Sequence, residues 1–265
     1  MQYLKLIRWQ NTLLMVVILL TIFVLPEGQL SSDQILYVVG VGLLFAGGNV
    51  INELYDVSVD RLNNKVNAVE QIGAKKSYVL YFLLNIASLI LVADYESQAM
   101  FVIAIVTLWC YSFYLQKLPL LGNLVIAALT AVSIYWTTQL GVSYQRGLLF
   151  GIMCGVLQLI REIAKDLEDV KGDTQEGYRT LPISLGVNKT KVLLYILTSS
   201  FVLWLLYVDW WVETGRHIWP FYAVIYVLLV FMVKLYRAYH QSHFEFLPKI
   251  LKMGMCFGLF SLFFF

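Results

Sequence analysis

The chain has 265 residues, 60% of them hydrophobic and only 14% charged, with a net charge of +2. A soluble domain carries about 25% charged residues, so these charges are too few to cover a water-facing globule. The basic residues are spread over separate loops rather than gathered in a stripe, which sets nucleic acid aside as a partner. A transmembrane helix needs about 20 apolar residues, somewhat fewer where flanking side chains reach the interface. Apolar runs predict spans at 11–25, 35–52, 77–93, 98–115, 121–139, 147–161, 192–208, 218–236 and 248–265. The first follows Lys5 and Arg8 in the manner of a signal peptide. Pro26, Glu27 and Gly28 come next instead of a small-x-small cleavage site, so it reads as an uncleaved span. The last is thin and ends abruptly at Phe265. Two connections, 53–76 and 166–191, are long and polar. No Gly/Ser-rich or Pro-rich linker interrupts the series. The expectation is an all-α bundle of about nine transmembrane helices forming a single domain over 1–265. Cys110, Cys154 and Cys256 fall inside apolar runs without metal-ligand spacing and read as small core hydrophobes.

Cytoplasmic loops carry an excess of Lys and Arg. Of the 19 such residues, all but Arg146 and Arg216 fall at the N-terminus or in the loops that follow even-numbered spans. The opposite loops hold those two beside Glu27, Asp33, Asp94, Glu96, Asp209 and Glu213. One missed or invented span would scramble this segregation. The N-terminus and both long polar connections are therefore expected on the cytoplasmic side, in an integral, multi-pass membrane protein.

Both connections are also acidic where they leave the membrane. The first runs Asn49-Val-Ile-Asn52-Glu53-Leu-Tyr-Asp56-Val-Ser-Val-Asp60-Arg61. Asn52, Asp56 and Asp60 are spaced i, i+4, i+8 and share one helix face over about 12 Å. Asn49 lies one turn earlier on that side. The second runs Arg161-Glu162-Ile-Ala-Lys165-Asp166-Leu-Glu168-Asp169-Val-Lys-Gly-Asp173, with Asp166, Asp169 and Asp173 at i, i+3, i+7. Stacked like charges weaken a helix, and a solvated acidic face is the plain reading of either triplet alone. Two triplets continuing the second and sixth spans to one membrane depth need a positive partner. Mg²⁺ fits, since it takes a few carboxylates together with substrate phosphate oxygens. Arg8, Arg61, Lys117, Arg161, Lys165 and Arg179 along the same rim could hold further phosphate charge.

These segments resemble a known family. The first is similar to the N-D-x-x-D-x-x-x-D signature of the UbiA superfamily of intramembrane prenyltransferases, with Glu53 at its second position. The second resembles that superfamily's D-x-x-x-D, carried by Asp169 and Asp173 and preceded by Asp166. Arg8 and Asn11, the run Tyr111-Ser-Phe-Tyr-Leu-Gln-Lys117 with Leu121-Gly122-Asn123, and Arg179-Thr-Leu-Pro182 extend the resemblance over nearly the whole chain. It implies Mg²⁺-dependent transfer of a polyprenyl group from its diphosphate to a membrane-associated acceptor. Asp56, Asp60, Asp169 and Asp173 would be catalytic, holding the metal with Asn52 and Asp166. Arg8, Asn11, Asn49, Lys117, Arg161, Lys165 and Arg179 would bind substrate. The run from Arg161 to Asp169, with Arg-Thr-Leu-Pro, is most similar to the branch that adds geranylgeranyl to geranylgeranylglyceryl phosphate, in ether-lipid biosynthesis. An aromatic acid en route to a quinone is the second acceptor. Relatives often carry proline and arginine after the first motif; here residues 66–76 have neither, so the loop is expected to cap the active site but no diphosphate or acceptor contact is carried over to it. Glu53 keeps the charge on a longer arm and is assigned a place beside the metal ligands.

His240 and His243, at i, i+3 without a third ligand nearby, read as a surface pair. Tyr55, Tyr111, Tyr114 and Tyr178 could each shelter a carbocation through cation–π contact. Gly47 and Gly48 are expected to permit close helix packing. A cation or solute transporter remains as a reading of another class, because ionisable residues in a bundle are pathway candidates. Against it, the acids gather at one rim and no hydropathy repeat divides the chain.

Overall fold

The computed structural model describes residues 1–139, 144–211 and 219–260. Among them are nine helices of 14 residues or more: α1 (Trp9–Glu27), α2 (Ser32–Tyr55), α3 (Ala74–Leu91), α4 (Tyr95–Phe113), α5 (Leu121–Gln139), α6 (Tyr144–Gln175), α7 (Val187–Trp211), α8 (Trp219–Tyr236) and α9 (Leu247–Phe260). The described residues contain no strand. Seven helices, α2 to α8, are long and apolar enough to cross a membrane. The apolar part of α1, Trp9–Val24, is shorter. The 14 residues of α9 rise about 21 Å, less than the hydrocarbon thickness of about 30 Å. The predicted end of the last span, 261–265, lies outside the described residues, as do Glu213 and Arg216.

Local chemistry sets the helix ends. α1 stops at Gly28, whose φ of 67° is a left-handed cap that glycine adopts without strain. α2 starts at a capping box in which Ser31 and Gln34 exchange side-chain and main-chain hydrogen bonds. Asp94 caps α4 by accepting from Ser97 N–H at 2.7 Å.

The chain forms two compact units. Met1–Gln116 makes the first and the described residues from 117 onward make the second. In the first, α2 packs against α1, α3 and α4. Gly47 and Gly48 permit this approach, as expected: a Cβ on them would lie 2.8 Å from Asn85 Nδ2 and from Leu108 Cδ1 respectively. In the second, α6 packs against α5, α7 and α9, while α8 lies on α7 and α9. Gly151 and Gly155 admit α5, since a Cβ at either would come 2.9 Å from Ala131, from its carbonyl oxygen and its Cβ respectively. The hub of each unit is thus the helix that carries an acidic motif. The membrane-crossing windows of α2 and α6 are 56% and 61% buried, against 22–39% in the other five.

Several polar side chains within the helices bond to their own backbone one turn earlier. Thr21 donates to the Val17 carbonyl, Ser77 to Gly73, Asn85 to Tyr81, Ser88 to Asn85, Thr130 to Ile126 and Thr137 to Ser133, at 2.7–3.1 Å. The outer surface is apolar: Ile90, Leu203, Trp210 and Tyr226 are among many exposed large side chains. Cys110, Cys154 and Cys256 are free thiols, with Cys154 buried.

Candidate active site

In the first unit the acidic motif does not lie on one uninterrupted helix. α2 ends at Tyr55, Asp56 is its C-cap, and a short helix, Val57–Leu62, follows. Main-chain bonds from Asp56 N–H to Asn52 and from Asp60 N–H to Asp56, at 3.0 and 2.8 Å, carry the i, i+4 spacing across the junction. Asn52, Asp56 and Asp60 therefore keep their helical register. Asp56 is buried and accepts from Asn52 Nδ2 and, at 3.1 Å, from Gln116 Nε2. Asp60 Oδ2 accepts from Asn67 Nδ2 at 2.8 Å.

Glu53 takes a defined part in this unit. Its buried carboxylate accepts from Arg8 Nη2 at 2.9 Å and from Ala68 N–H at 3.3 Å. Burial alone would lower the Arg8 pKa, but Glu53, Asp56 and Asp60 more than offset it, so Arg8 is held above its ordinary value. Arg8 also has left-handed backbone, with φ 47°, a conformation that costs a non-glycine residue roughly 1–2 kcal/mol. Asn49 Nδ2 donates to the Ile7 carbonyl at 3.1 Å, and Asn11 N–H donates to the Arg8 carbonyl at 2.8 Å. Arg8, Asn11 and Asn49 are thereby gathered around one turn at the start of α1. Arg61 instead pairs with Glu70 at 2.6 Å in an exposed position.

The loop to which no contact was carried over is an ordered part of the motif's surroundings. Asn67 caps a helix, Ala68–Ile72. The apolar residues Ala68, Val69 and Ile72 pack with Leu6, Val50, Ile51 and Tyr81.

In the second unit, α6 runs unbroken through Asp166, Asp169 and Asp173, as their spacing predicts. Asp169 and Asp173 are buried. Asp166 Oδ2 accepts from Asn123 Nδ2 at 3.0 Å, and Asp173 Oδ2 from Thr180 Oγ1 at 3.3 Å. Lys117 and Arg179 meet through their main chains, with Arg179 N–H donating to the Lys117 carbonyl at 2.8 Å. The Lys117 ammonium lies 5.3 Å from the centre of the Tyr178 ring, so that ring already faces a cation. Arg161 pairs with buried Glu162 at 2.7 Å, and Glu162 also accepts from Gln158 at 2.8 Å. Lys165 is half-buried one turn beyond Arg161. His240 and His243 are exposed, as expected, with ring centres 5.4 Å apart.

Four donors were not singled out as site residues from the sequence: Gln116, Asn67, Asn123 and Thr180. Each is a neutral amide or hydroxyl on an acid of the motifs. Gln116, Asn123 and Thr180 stand beside or within runs already recognised, which was the available signal; Asn67 carried none. A neutral donor fixes the direction of a carboxylate without cancelling its charge. Among the described residues no three His, Cys, Asp or Glu side chains group closely enough to hold a metal by themselves. The hard oxygen donors present suit Mg²⁺, which binds carboxylates and completes its shell with water and substrate phosphate.

The model of the UbiA prenyltransferase family matches residues 13–247. A digeranylgeranylglyceryl phosphate synthase of Thermococcus gammatolerans is 33% identical over 62% of this chain and 60% of its own length. The match thus spans about three-fifths of that relative. Another, from Methanoculleus marisnigri, is 31% identical over 71% of each chain. A third, from Methanosphaera stadtmanae, is 25% identical over 96% of this chain and 94% of its own. A solved structure of digeranylgeranylglyceryl phosphate synthase in membranes superposes with a TM-score of 0.74 at 22% identity, covering 99% of this chain and 96% of that one. A UbiA homolog from Archaeoglobus fulgidus bound to DMAPP and Mg²⁺ gives 0.67 at 15% identity, covering 99% of both chains. At these identities the structural likeness is one of fold.

Proposed function

This chain belongs to the UbiA prenyltransferase family, and on that footing we propose that it transfers a geranylgeranyl group from its diphosphate to geranylgeranylglyceryl phosphate, with Mg²⁺ as cofactor. The protein is an integral, multi-pass membrane protein. Its acceptor is inferred from the names of the relatives from Thermococcus, Methanoculleus and Methanosphaera. The metal is inferred from the Archaeoglobus homolog bound to Mg²⁺. The observation that carries the chemistry is the set of neutral donors fixing the motif acids: Gln116 on Asp56, Asn67 on Asp60, Asn123 on Asp166 and Thr180 on Asp173.

Asn52, Asp56, Asp60, Asp166, Asp169 and Asp173 would hold Mg²⁺ on the diphosphate. Bound there, the metal supplies positive charge where negative charge develops as the diphosphate departs. Lys117, Arg161, Lys165 and Arg179 bind the anionic groups, and Arg8, Asn11 and Asn49 bind substrate beside the first motif. The allylic C–O bond to diphosphate breaks, and the acceptor hydroxyl oxygen bonds to that carbon and releases its proton. The chain acts as a single domain over 1–265, with the N-terminus and both acidic segments cytoplasmic, as the distribution of basic residues supports.

Purified protein in nanodiscs, with Mg²⁺ and radiolabelled geranylgeranyl diphosphate, tests this reading. EDTA-sensitive product is expected with geranylgeranylglyceryl phosphate and not with 4-hydroxybenzoate. Product with the aromatic acid alone would overturn the acceptor. No product with either, and no Mg²⁺-dependent binding of the diphosphate, would overturn the activity.

A further inference from the structure

We infer that Asn67 is a positioning residue that holds the Asp60 carboxylate in the orientation in which it takes Mg²⁺; the inference rests on the reading of Asp60 as a metal ligand. Asn67 is 1% exposed although it lies in a connection between helices. Its carboxamide makes three hydrogen bonds. Nδ2 donates to Asp60 Oδ2 at 2.8 Å and to the Glu53 carbonyl at 2.9 Å, while Oδ1 accepts from Val69 N–H at 2.9 Å. Both donors are committed, and the oxygen is anchored to the helix that Asn67 itself caps. The group can neither rotate nor flip without leaving a buried polar atom unsatisfied.

That anchor is also held from outside. Ala68, Val69 and Ile72 pack with Leu6, Val50, Ile51 and Tyr81, and Ala68 N–H bonds to Glu53. The Asp60 side chain is thereby tied through Asn67 to the end of α2, fourteen residues from Asn67 in sequence, as well as to its own short helix. The donors that orient a metal ligand set affinity as well as direction, and removing one costs about 10–100-fold in metal affinity or activity. Asn67 is well suited to this work, because an amide donor leaves the negative charge of the carboxylate in place for the cation.

The Asn67→Ser variant removes the donations to Asp60 and to the Glu53 carbonyl while keeping the helix cap. Serine caps a helix nearly as well as asparagine but is too short to reach Asp60. In detergent, Mg²⁺ would be titrated against binding of radiolabelled geranylgeranyl diphosphate, with turnover followed in parallel. The expected result is a Mg²⁺ midpoint raised at least about tenfold in both readouts, with turnover largely recovered at saturating Mg²⁺. In the Asp60→Asn background, Asn67→Ser should add no further shift, because the carboxylate that Asn67 orients toward the metal is already gone. Asn67→Thr, also a capping residue, repeats the measurement if the serine variant purifies poorly. A wild-type midpoint in a folded variant, or a shift that adds in full to that of Asp60→Asn, would reduce Asn67 to a structural cap. An Asp60→Asn variant with unchanged Mg²⁺ dependence would instead remove Asp60 from the metal set, which is a failure of the underlying reading.

Discussion

Asp56 sits where two helices meet and takes amide hydrogen bonds from Asn52 and Gln116, the latter 60 residues away in sequence. Asp169 lies inside a continuous helix and is equally buried. Asp56→Asn and Asp169→Asn change charge with almost no change in shape. Each is expected to lower turnover by at least about a hundredfold, while the protein elutes as wild type on size exclusion. Full activity in either variant would strike that residue from the metal set. The acids were legible from the sequence because like charges repeated at helical spacing leave a pattern. Their orienting amides leave no such periodicity. Gln116 and Asn123 reach their acids across 60 and 43 residues, and no periodicity relates such positions. Glu53 was placed beside the ligands from the motif alone, but its bonds to Arg8 and to Ala68 N–H come from tertiary folding.

Hydropathy located the helices well and their ends less well. The span predicted at 147–161 stops where charges begin, yet α6 continues to Gln175, because hydropathy records the lipid and not the backbone ladder. The helix Ala68–Ile72 was illegible for the opposite reason. Five residues cannot sustain a helix in isolation, and this one forms on the Asn67 cap and its apolar docking site. Packing between elements makes its own prediction. Gly151→Ala would drive a methyl group to within 2.9 Å of the Ala131 carbonyl oxygen, which as backbone cannot swing aside. Overpacking of this kind costs about 1–3 kcal/mol. The melting temperature of the variant in detergent should fall, and Gly48→Ala should be milder, since there the neighbour is the flexible tip of Leu108. Equal melting temperatures for Gly151→Ala and wild type would mean that α5 and α6 can separate without loss.

At the scale of the whole molecule, the distribution of basic residues predicts which loops face which side of the membrane. In a background lacking Cys110, Cys154 and Cys256, a membrane-impermeant maleimide should label Glu96→Cys in intact cells. It should label Asn188→Cys only after permeabilisation; both positions are exposed. The reverse pattern would invert the topology. Seven of the nine predicted spans, α2 to α8, are long and apolar enough to cross, and they were legible in order because about 20 apolar residues are needed for each crossing. The choice of α2 and α6 as hubs was not, since burial within a bundle and burial in lipid demand the same side chains. The hydroxyls and amides bonded back onto their own helices, from Thr21 to Thr137, bear on how such a molecule is made. A segment whose polar side chains are satisfied internally can enter the bilayer before its neighbours exist. Synthesis and insertion can then proceed helix by helix, leaving side-by-side association as a later and separate event.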